Sequence, residues 1–292
     1  MRYGYFPGCY VLSRKLQYDL SARNVMKKLG VEIVEMTDAP CCGPAIVKSV
    51  DYSVASALSA RILAMTKERG LNTLVTLCPE CFSSFIKVNT GFKEDVKFKE
   101  EVNHILSSTA GLKYNGDVEP KHILQVVYED IGLKGLSEHI IKRFNGVKVA
   151  VQPGCHFLRA STSYYADDPE DPRMLDEVVE SLGMESVYWP LKLWCCGAPT
   201  LAFDRELSLK LAGRKLRSIK ASGADCIVTA CPYCHTQLDQ YQPMVERRLN
   251  EKFGIPTFLF TQILGLCMGL SPEEVGLHMN RVSPSKILDF IG

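Results

Sequence analysis

The chain has 292 residues, room for two domains of ordinary size, and its 46% hydrophobic and 23% charged content suits a protein that buries a real core. A net charge of +1 with no Lys/Arg run gives a nucleic-acid partner no footing. No stretch reaches the ~18 consecutive apolar residues of a membrane-spanning helix.

The opening Met1-Arg2-Tyr3 passes straight into a folded pattern without the basic and apolar regions of a signal peptide, so a cytoplasmic chain is expected. Tyr3 to Phe6 reads as a strand that delivers Cys9 at its carboxyl end. Ser13 is expected to cap a helix carrying Leu16, Leu20, Met26 and Leu29, closed by Gly30. Val31 to Met36 is a β-branched strand leading through Asp38-Ala39-Pro40 to Cys41 and Cys42. Tyr52 to Arg69 is a helix closed by Gly70, and Thr73 to Leu77 a buried strand entering Cys78. Helices over Phe82 to Val88 and Glu94 to Ser107, then segments Lys121 to Ile131 and Ser137 to Phe144, complete the half.

The same order returns. Val147 to Val151 is a strand ending near Cys155; Pro172 to Leu182 is a helix; Ser186 to Trp189 is a strand before Cys195 and Cys196. Asp204 caps a helix over Arg205 to Ala221, Asp225 to Ala230 is a strand entering Cys231, and Pro243 should split the helix that follows. Thr257 to Phe260 is a final strand. Strands alternating with helices indicate, in each half, an α/β unit with a small mainly parallel sheet flanked by helices. The expected units are residues 1–145 and 146–292, joined near Asn145-Gly146.

Both halves carry one cysteine pattern. The first has Pro7-Gly8-Cys9, Cys41-Cys42-Gly43 and Cys78-Pro79-Glu80-Cys81; the second has Pro153-Gly154-Cys155, Cys195-Cys196-Gly197 and Cys231-Pro232-Tyr233-Cys234. The cysteines are separated by 31, 35 and 2 residues in the first copy and by 39, 34 and 2 in the second, and the pattern holds ten of the twelve cysteines. Disulfides are not expected in a reducing compartment, which leaves metal ligation, redox chemistry or burial. Ligands of open parallel sheets gather at the carboxyl ends of strands, so each set of five should converge there. A structural zinc takes four ligands, as does a cubane cluster, so five thiolates point to a spare reactive cysteine or to a cluster with a bridging thiolate. The adjacent pairs favour bridging. Zinc and plain dithiol chemistry stand as alternatives.

This tandem pattern resembles the cysteine-rich CCG-domain family, and within it the B subunits of soluble heterodisulfide reductases of methanogenic archaea. The resemblance covers the full length. It implies two CCG domains, each with one noncubane [4Fe-4S] cluster at the carboxyl ends of its strands. Cys9, Cys41, Cys42, Cys78 and Cys81 would ligate the first; Cys155, Cys195, Cys196, Cys231 and Cys234 would ligate the second. The implied substrate is the mixed disulfide of coenzyme M and coenzyme B, reduced to two thiols between the clusters. Electrons would come from a ferredoxin-like iron–sulfur partner, the C subunit, and from the flavin-containing A subunit, in a larger complex with a hydrogenase or formate dehydrogenase. Relatives that serve glycolate, lactate or succinate-type dehydrogenases often carry a ferredoxin-like cysteine run, which this sequence lacks.

Residues beside the motifs complete the expectation. His156 follows a ligand cysteine and suits proton donation to a nascent thiolate. His235 follows Cys234 and would orient a ligand or touch substrate. Lys48 and Arg159 are candidates for binding the substrate's anionic groups. The acidic segment 161–171 reads as a solvated loop, with a lid or a subunit contact as alternatives, and Cys226 and Cys267 as buried small apolar residues. Two other readings compete with a disulfide reductase: an electron-transfer component of an organic-acid dehydrogenase, and a zinc-stabilised scaffold.

Overall fold

The computed structural model describes residues 1–290. Its eight strands are β1 (Arg2–Phe6), β2 (Glu32–Glu35), β3 (Thr73–Thr76), β4 (Glu119–His122), β5 (Lys148–Gln152), β6 (Glu185–Ser186), β7 (Cys226–Thr229) and β8 (Thr257–Leu259). They form two all-parallel sheets of the same topology, ordered β2-β1-β3-β4 and β6-β5-β7-β8. Central strands such as Cys226-Ile227-Val228-Thr229 are buried on both faces, as a parallel sheet covered by helices requires.

Register decides where the cysteines go. Tyr5 lies opposite Glu35 and Phe6 opposite Thr76, so β1, β2 and β3 end together. The chain leaves each of them into one of the cysteine motifs. In the second half Gln152 pairs with Thr229, with the same result for β5 and β7.

Several local expectations are corrected. The helix after Cys9 breaks at Lys15 into Cys9–Arg14 and Leu16–Lys28, so Ser13 is internal and bonds Tyr10 O. A short helix, Ala45–Val50, follows the first cysteine pair. The helix expected from Phe82 begins at Pro79 and runs to Glu94, which places Cys81 in its first turn. β4 was not anticipated, because Glu119-Pro120-Lys121-His122 carries a proline and charges; among the described residues it pairs only with β3, and an edge strand tolerates both. β6 is two residues long instead of four: Trp189 turns inward, is fully buried and donates Nε1–H to Val151 O at 3.1 Å. Pro243 sits in the first turn of helix Gln242–Leu249, set off from a π-helical turn at Thr236–Gln240, so the split is observed.

The halves share a core. Tyr18, Val25 and Met26 on helix Leu16–Lys28 join one apolar cluster with Ile263, Leu264 and Cys267 on helix Phe260–Cys267. Ser21 and Thr261 hydroxyls meet there at 2.7 Å, and the Tyr18 hydroxyl donates to Ala230 O at 3.0 Å. Cys226 and Cys267 are both fully buried. Segment 161–171 is not a free loop. Gln125 donates to the Tyr164 hydroxyl at 3.0 Å, the Ser163 hydroxyl to Glu94 at 2.8 Å, and Tyr164 packs edge-on to Phe82, so it straps the second half onto the first.

Candidate metal centres

Each motif has a physical reason for its glycine. Gly8 and Gly154 take φ of 92° and 101°, which turns the chain from strand into a helix that starts at the next cysteine. A Cβ on Gly8 would lie 3.1 Å from Cys81 Sγ, and one on Gly154 3.0 Å from Cys231 Cβ. Only glycine lets the first cysteine loop lie against the Cys-Pro-x-Cys turn. Gly43 and Gly197, at φ 66° and 85°, press on helices Tyr52–Glu68 and Arg205–Ala221, where a Cβ would meet Ala55 O at 2.5 Å and Ser208 O at 2.9 Å. Gly43→Ala is therefore expected to destabilise the metal-free chain by on the order of 3 kcal/mol, from left-handed strain plus a backbone clash. Urea unfolding checks this against Gly30→Ala, where a Cβ meets nothing within 4 Å and the loss should be ~1 kcal/mol.

Cys78 and Cys231 stand in extended conformation at helix starts, with Pro79 and Pro232 in the first turn, a position where a missing N–H costs nothing. The thiols then touch in one order in both halves. In the first, contacts run from Cys9 to Cys41, Cys42, Cys81 and Cys78, with Cys42 Sγ 3.1 Å from Cys81 Sγ. In the second they run from Cys155 to Cys195, Cys196, Cys234 and Cys231, with Cys196 and Cys234 sulfurs 3.5 Å apart. The sulfurs form a chain, and among the described residues no three Cys, His, Asp or Glu side chains gather round one point as a single ion needs.

The first member of each tandem pair is shifted toward the thiolate. Cys41 accepts from Cys42 and from the Gly43 N–H and is pulled down to about 5. Cys195 accepts from Cys155 and Cys196 and, with help from Gly197 N–H and Lys215, falls to about 2. Their neighbours show the converse: Cys42, Cys81 and Cys234 are pushed up by the thiols they donate to, and by burial. Cys9 and Cys195 are exposed, Cys41 and Cys155 partly so, and the other six are buried. An all-sulfur set of five, with two of its sulfurs 3.1 Å apart in the first half and 3.5 Å apart in the second and closed in by glycines, fits an iron–sulfur cluster in each half.

The two sets meet at a seam built by exchange. Tyr10, next to Cys9, stacks on Tyr233 of the other half's Cys-Pro-x-Cys turn, with ring centroids 3.9 Å apart and planes 22° from parallel. Tyr233 packs against the thiols of both halves. The equivalent exchange on the other side brings His156, next to Cys155, onto Glu80 of the first Cys-Pro-x-Cys turn, with Nδ1 in contact with Oε2. Glu80 also accepts from Ala45 N at 3.0 Å and lies 3.6 Å from Lys48 Nζ. Burial is the largest influence on the His156 ring and lowers its pKa; the nearby Lys48 cation lowers it further, and Cys195 acts in the opposite sense.

The sequence reading missed Glu80, and its signal was the position between the two cysteines of the first Cys-Pro-x-Cys turn. Of the other candidates, only Lys48 joins His156: its Nζ donates to Ser84 Oγ at 2.8 Å, and burial lowers its pKa while Cys42 and Cys81 oppose this. Arg159 is turned away and bonds Pro169 O at 2.8 Å, holding the strap. His235 is fully buried, its Nδ1 accepting from Lys15 Nζ at 2.9 Å, and it presents no surface to a ligand. It links the halves instead.

Residues 3–86 and 149–239 each match the cysteine-rich CCG domain. The chain is 36% identical to the heterodisulfide reductase B-subunit-like protein of Archaeoglobus profundus, over 94% of this chain and 93% of that one. It is 32% identical to the B subunit of the ferredoxin:CoB-CoM heterodisulfide reductase of Methanosarcina mazei, over 97% and 94%. It is 27% identical to the 8-methylmenaquinol:fumarate reductase membrane anchor subunit of Wolinella succinogenes, over 98% of both. A crystal structure of a hypothetical protein from Helicobacter pylori shares the fold, with a TM-score of 0.78 at 15% identity; 97% of this chain matches 52% of that one, so the chain spans about half its length. Among the described residues no helix is long and apolar enough to cross a membrane. With two matched domains and full-length relatives above 30% identity, the chain belongs to the cysteine-rich CCG-domain family of oxidoreductase subunits, alongside the heterodisulfide reductase B subunits.

Proposed function

We propose that this chain is the disulfide-reducing B subunit of a cytoplasmic heterodisulfide reductase complex, acting on the mixed disulfide of coenzyme M and coenzyme B. Residues 1–145 and 146–292 serve as its two repeat units. The carrying observation is the seam, where each half lends the other a side chain beside its thiols: Tyr10 on Tyr233, and His156 on Glu80. Cys9, Cys41, Cys42, Cys78 and Cys81 would hold one noncubane [4Fe-4S] cluster, and Cys155, Cys195, Cys196, Cys231 and Cys234 the other. Each cluster, when bound, supplies one electron at a time.

Reduction of a disulfide takes two electrons and two protons, and the S–S bond breaks to leave two thiols. The chain's own residues handle substrate and protons. The Tyr10–Tyr233 stack walls one side of the seam with apolar faces and limits water there. On the other side Glu80 engages Nδ1 of His156 and would stabilise the imidazolium formed when Nε2 takes a proton from water, a proton that Nε2 then passes to a leaving thiolate. Lys48, beside Glu80, places a cation where an anionic tail of the substrate can be held. Electrons would enter from a ferredoxin-like C subunit, itself supplied by a flavin-containing A subunit, in a larger assembly with a hydrogenase or formate dehydrogenase. The naming of relatives as B subunits of reductases supports a multi-subunit setting.

The similarity to a fumarate reductase subunit favours a second reading, an electron carrier without its own substrate site. Anaerobic reconstitution followed by assay with a reduced artificial donor separates them. The expected result is about eight irons per chain, four for each cysteine set, and two thiols released per mixed disulfide consumed. Full iron loading with no disulfide turnover would establish the carrier. Two zincs in place of iron would establish the scaffold.

A further inference from the structure

The two thiol sites come from one repeat, yet their electrostatics differ at one buried position. Lys215 lies on helix Arg205–Ala221 and is 1% exposed. Its Nζ donates to the carbonyls of Leu191 at 2.7 Å, Lys192 at 3.4 Å and Trp194 at 2.5 Å, the strip that leads directly into Cys195. Three acceptors for three N–H donors define an ammonium, and it sits 4.7 Å from the centre of the Trp189 ring. Among the described residues it pairs with no carboxylate. Burial pushes it down to about 8, while Cys234, Cys196, Cys195 and Cys155 pull it back up.

The matching position in the first half is apolar. Helices Tyr52–Glu68 and Arg205–Ala221 both have 17 residues and aspartate caps, Asp51 and Asp204. Gly43 abuts Ala55 where Gly197 abuts Ser208, which fixes the register and puts Ile62, fully buried, in the place of Lys215. The cation near the first site, Lys48, differs in kind because Glu80 lies beside it. A buried charge without a counter-ion is costly, so an anion is required next to Lys215. The second thiol set is the group that supplies it.

We propose that Lys215 is the resident counter-charge of the second thiol site, making the two repeat-derived sites electrically unequal, with the second taking up an electron more readily than the first. This rests on the iron–sulfur reading given above. A fixed cation stabilises the more negative, reduced form of a cluster and raises its potential.

The test is an anaerobic potentiometric titration of the reconstituted full chain, followed by electron paramagnetic resonance, with iron content measured on the same samples. The wild type should show two unequal one-electron couples. Lys215→Gln keeps a donor for the carbonyl strip but loses the charge. It should lower the higher couple at least tenfold in its reduced-to-oxidised ratio, about 59 mV for one electron, and leave the lower couple in place. Lys215→Arg should keep both couples. If Lys215→Gln loses iron from one site and Lys215→Arg does not, charge is still the property required. Unchanged or equally shifted couples at full iron overturn the proposal, as does equal iron loss in both variants, which would make Lys215 a loop pin. A wild-type chain that takes up no iron removes the iron–sulfur reading itself, and the proposal with it.

Discussion

Cys42→Ala should cut iron content from about eight to about four per chain and abolish disulfide reduction. Cys42 is 2% exposed and stands in the middle of the first thiol chain, between Cys41 and the Cys81 sulfur 3.1 Å away. Its loss removes the thiol that touches both Cys41 and Cys81, leaving four cysteines where the set has five. The second half, with its own unbroken chain from Cys155 to Cys231, should still load. Cys226→Ala is the control: this thiol is fully buried on β7 outside both sets, so iron content and turnover should stay near wild type despite a small packing loss. Iron and sulfide analysis with the disulfide assay checks both. Full iron in Cys42→Ala would show that four cysteines suffice and that the tandem pair has no bridging role.

His156→Gln and Glu80→Gln should each lower turnover by about 10²–10⁴-fold, the usual contribution of a positioned proton donor. Both should retain nearly full iron. Glu80→Gln preserves an acceptor for Ala45 N and Lys48 Nζ, so the local fold has no reason to change, while its grip on the imidazole is weakened. Because cluster reduction by a donor needs no proton from this pair, its rapid-mixing rate should stay unchanged. Only substrate-dependent reoxidation should slow. Tyr10→Phe, which loses a single hydrogen bond to Thr236 Oγ1 at 2.9 Å and keeps the ring stack, should turn over normally. Iron loss in proportion to activity in the His156 and Glu80 variants would assign the pair to site assembly instead.

These effects follow from a difference between the repeats that was partly visible in one dimension. At the position after the first cysteine the copies carry Tyr10 and His156; inside the Cys-Pro-x-Cys turn they carry Glu80 and Tyr233. Aromatic matches aromatic and acid matches base only when the pairs are taken across the halves. His156 was identifiable from its neighbour Cys155, but Glu80 was not, because its meaning depends on a partner in the other repeat.

Lys48, Arg159 and His235 shared one sequence signal, a cationic or basic residue a few positions from a motif cysteine. Their fates diverge because nearness along the chain does not set direction. Lys48 follows the short helix Ala45–Val50 toward Glu80, Arg159 reaches back to Pro169, and His235 points into the shared core against Lys15. β4 escaped notice for a related reason: an edge strand with one neighbour needs neither β-branched residues nor alternation, so Pro120 and Lys121 hide it.

By itself the sequence determined the repeat, the parallel α/β halves and the grouping of ten cysteines into two sets of five, since local periodicity, turn chemistry and ligand spacing are all carried along the chain. How the halves differ was set by long-range packing. The shared core turns each cysteine loop toward the other half, so that one side of the seam becomes an aromatic stack and the other an acid–base pair. The same folding buries Lys215 near the thiols of one site and Ile62 at the matching place by the other. Burial and long-range contact create those electrostatic differences, and neither is encoded in spacing.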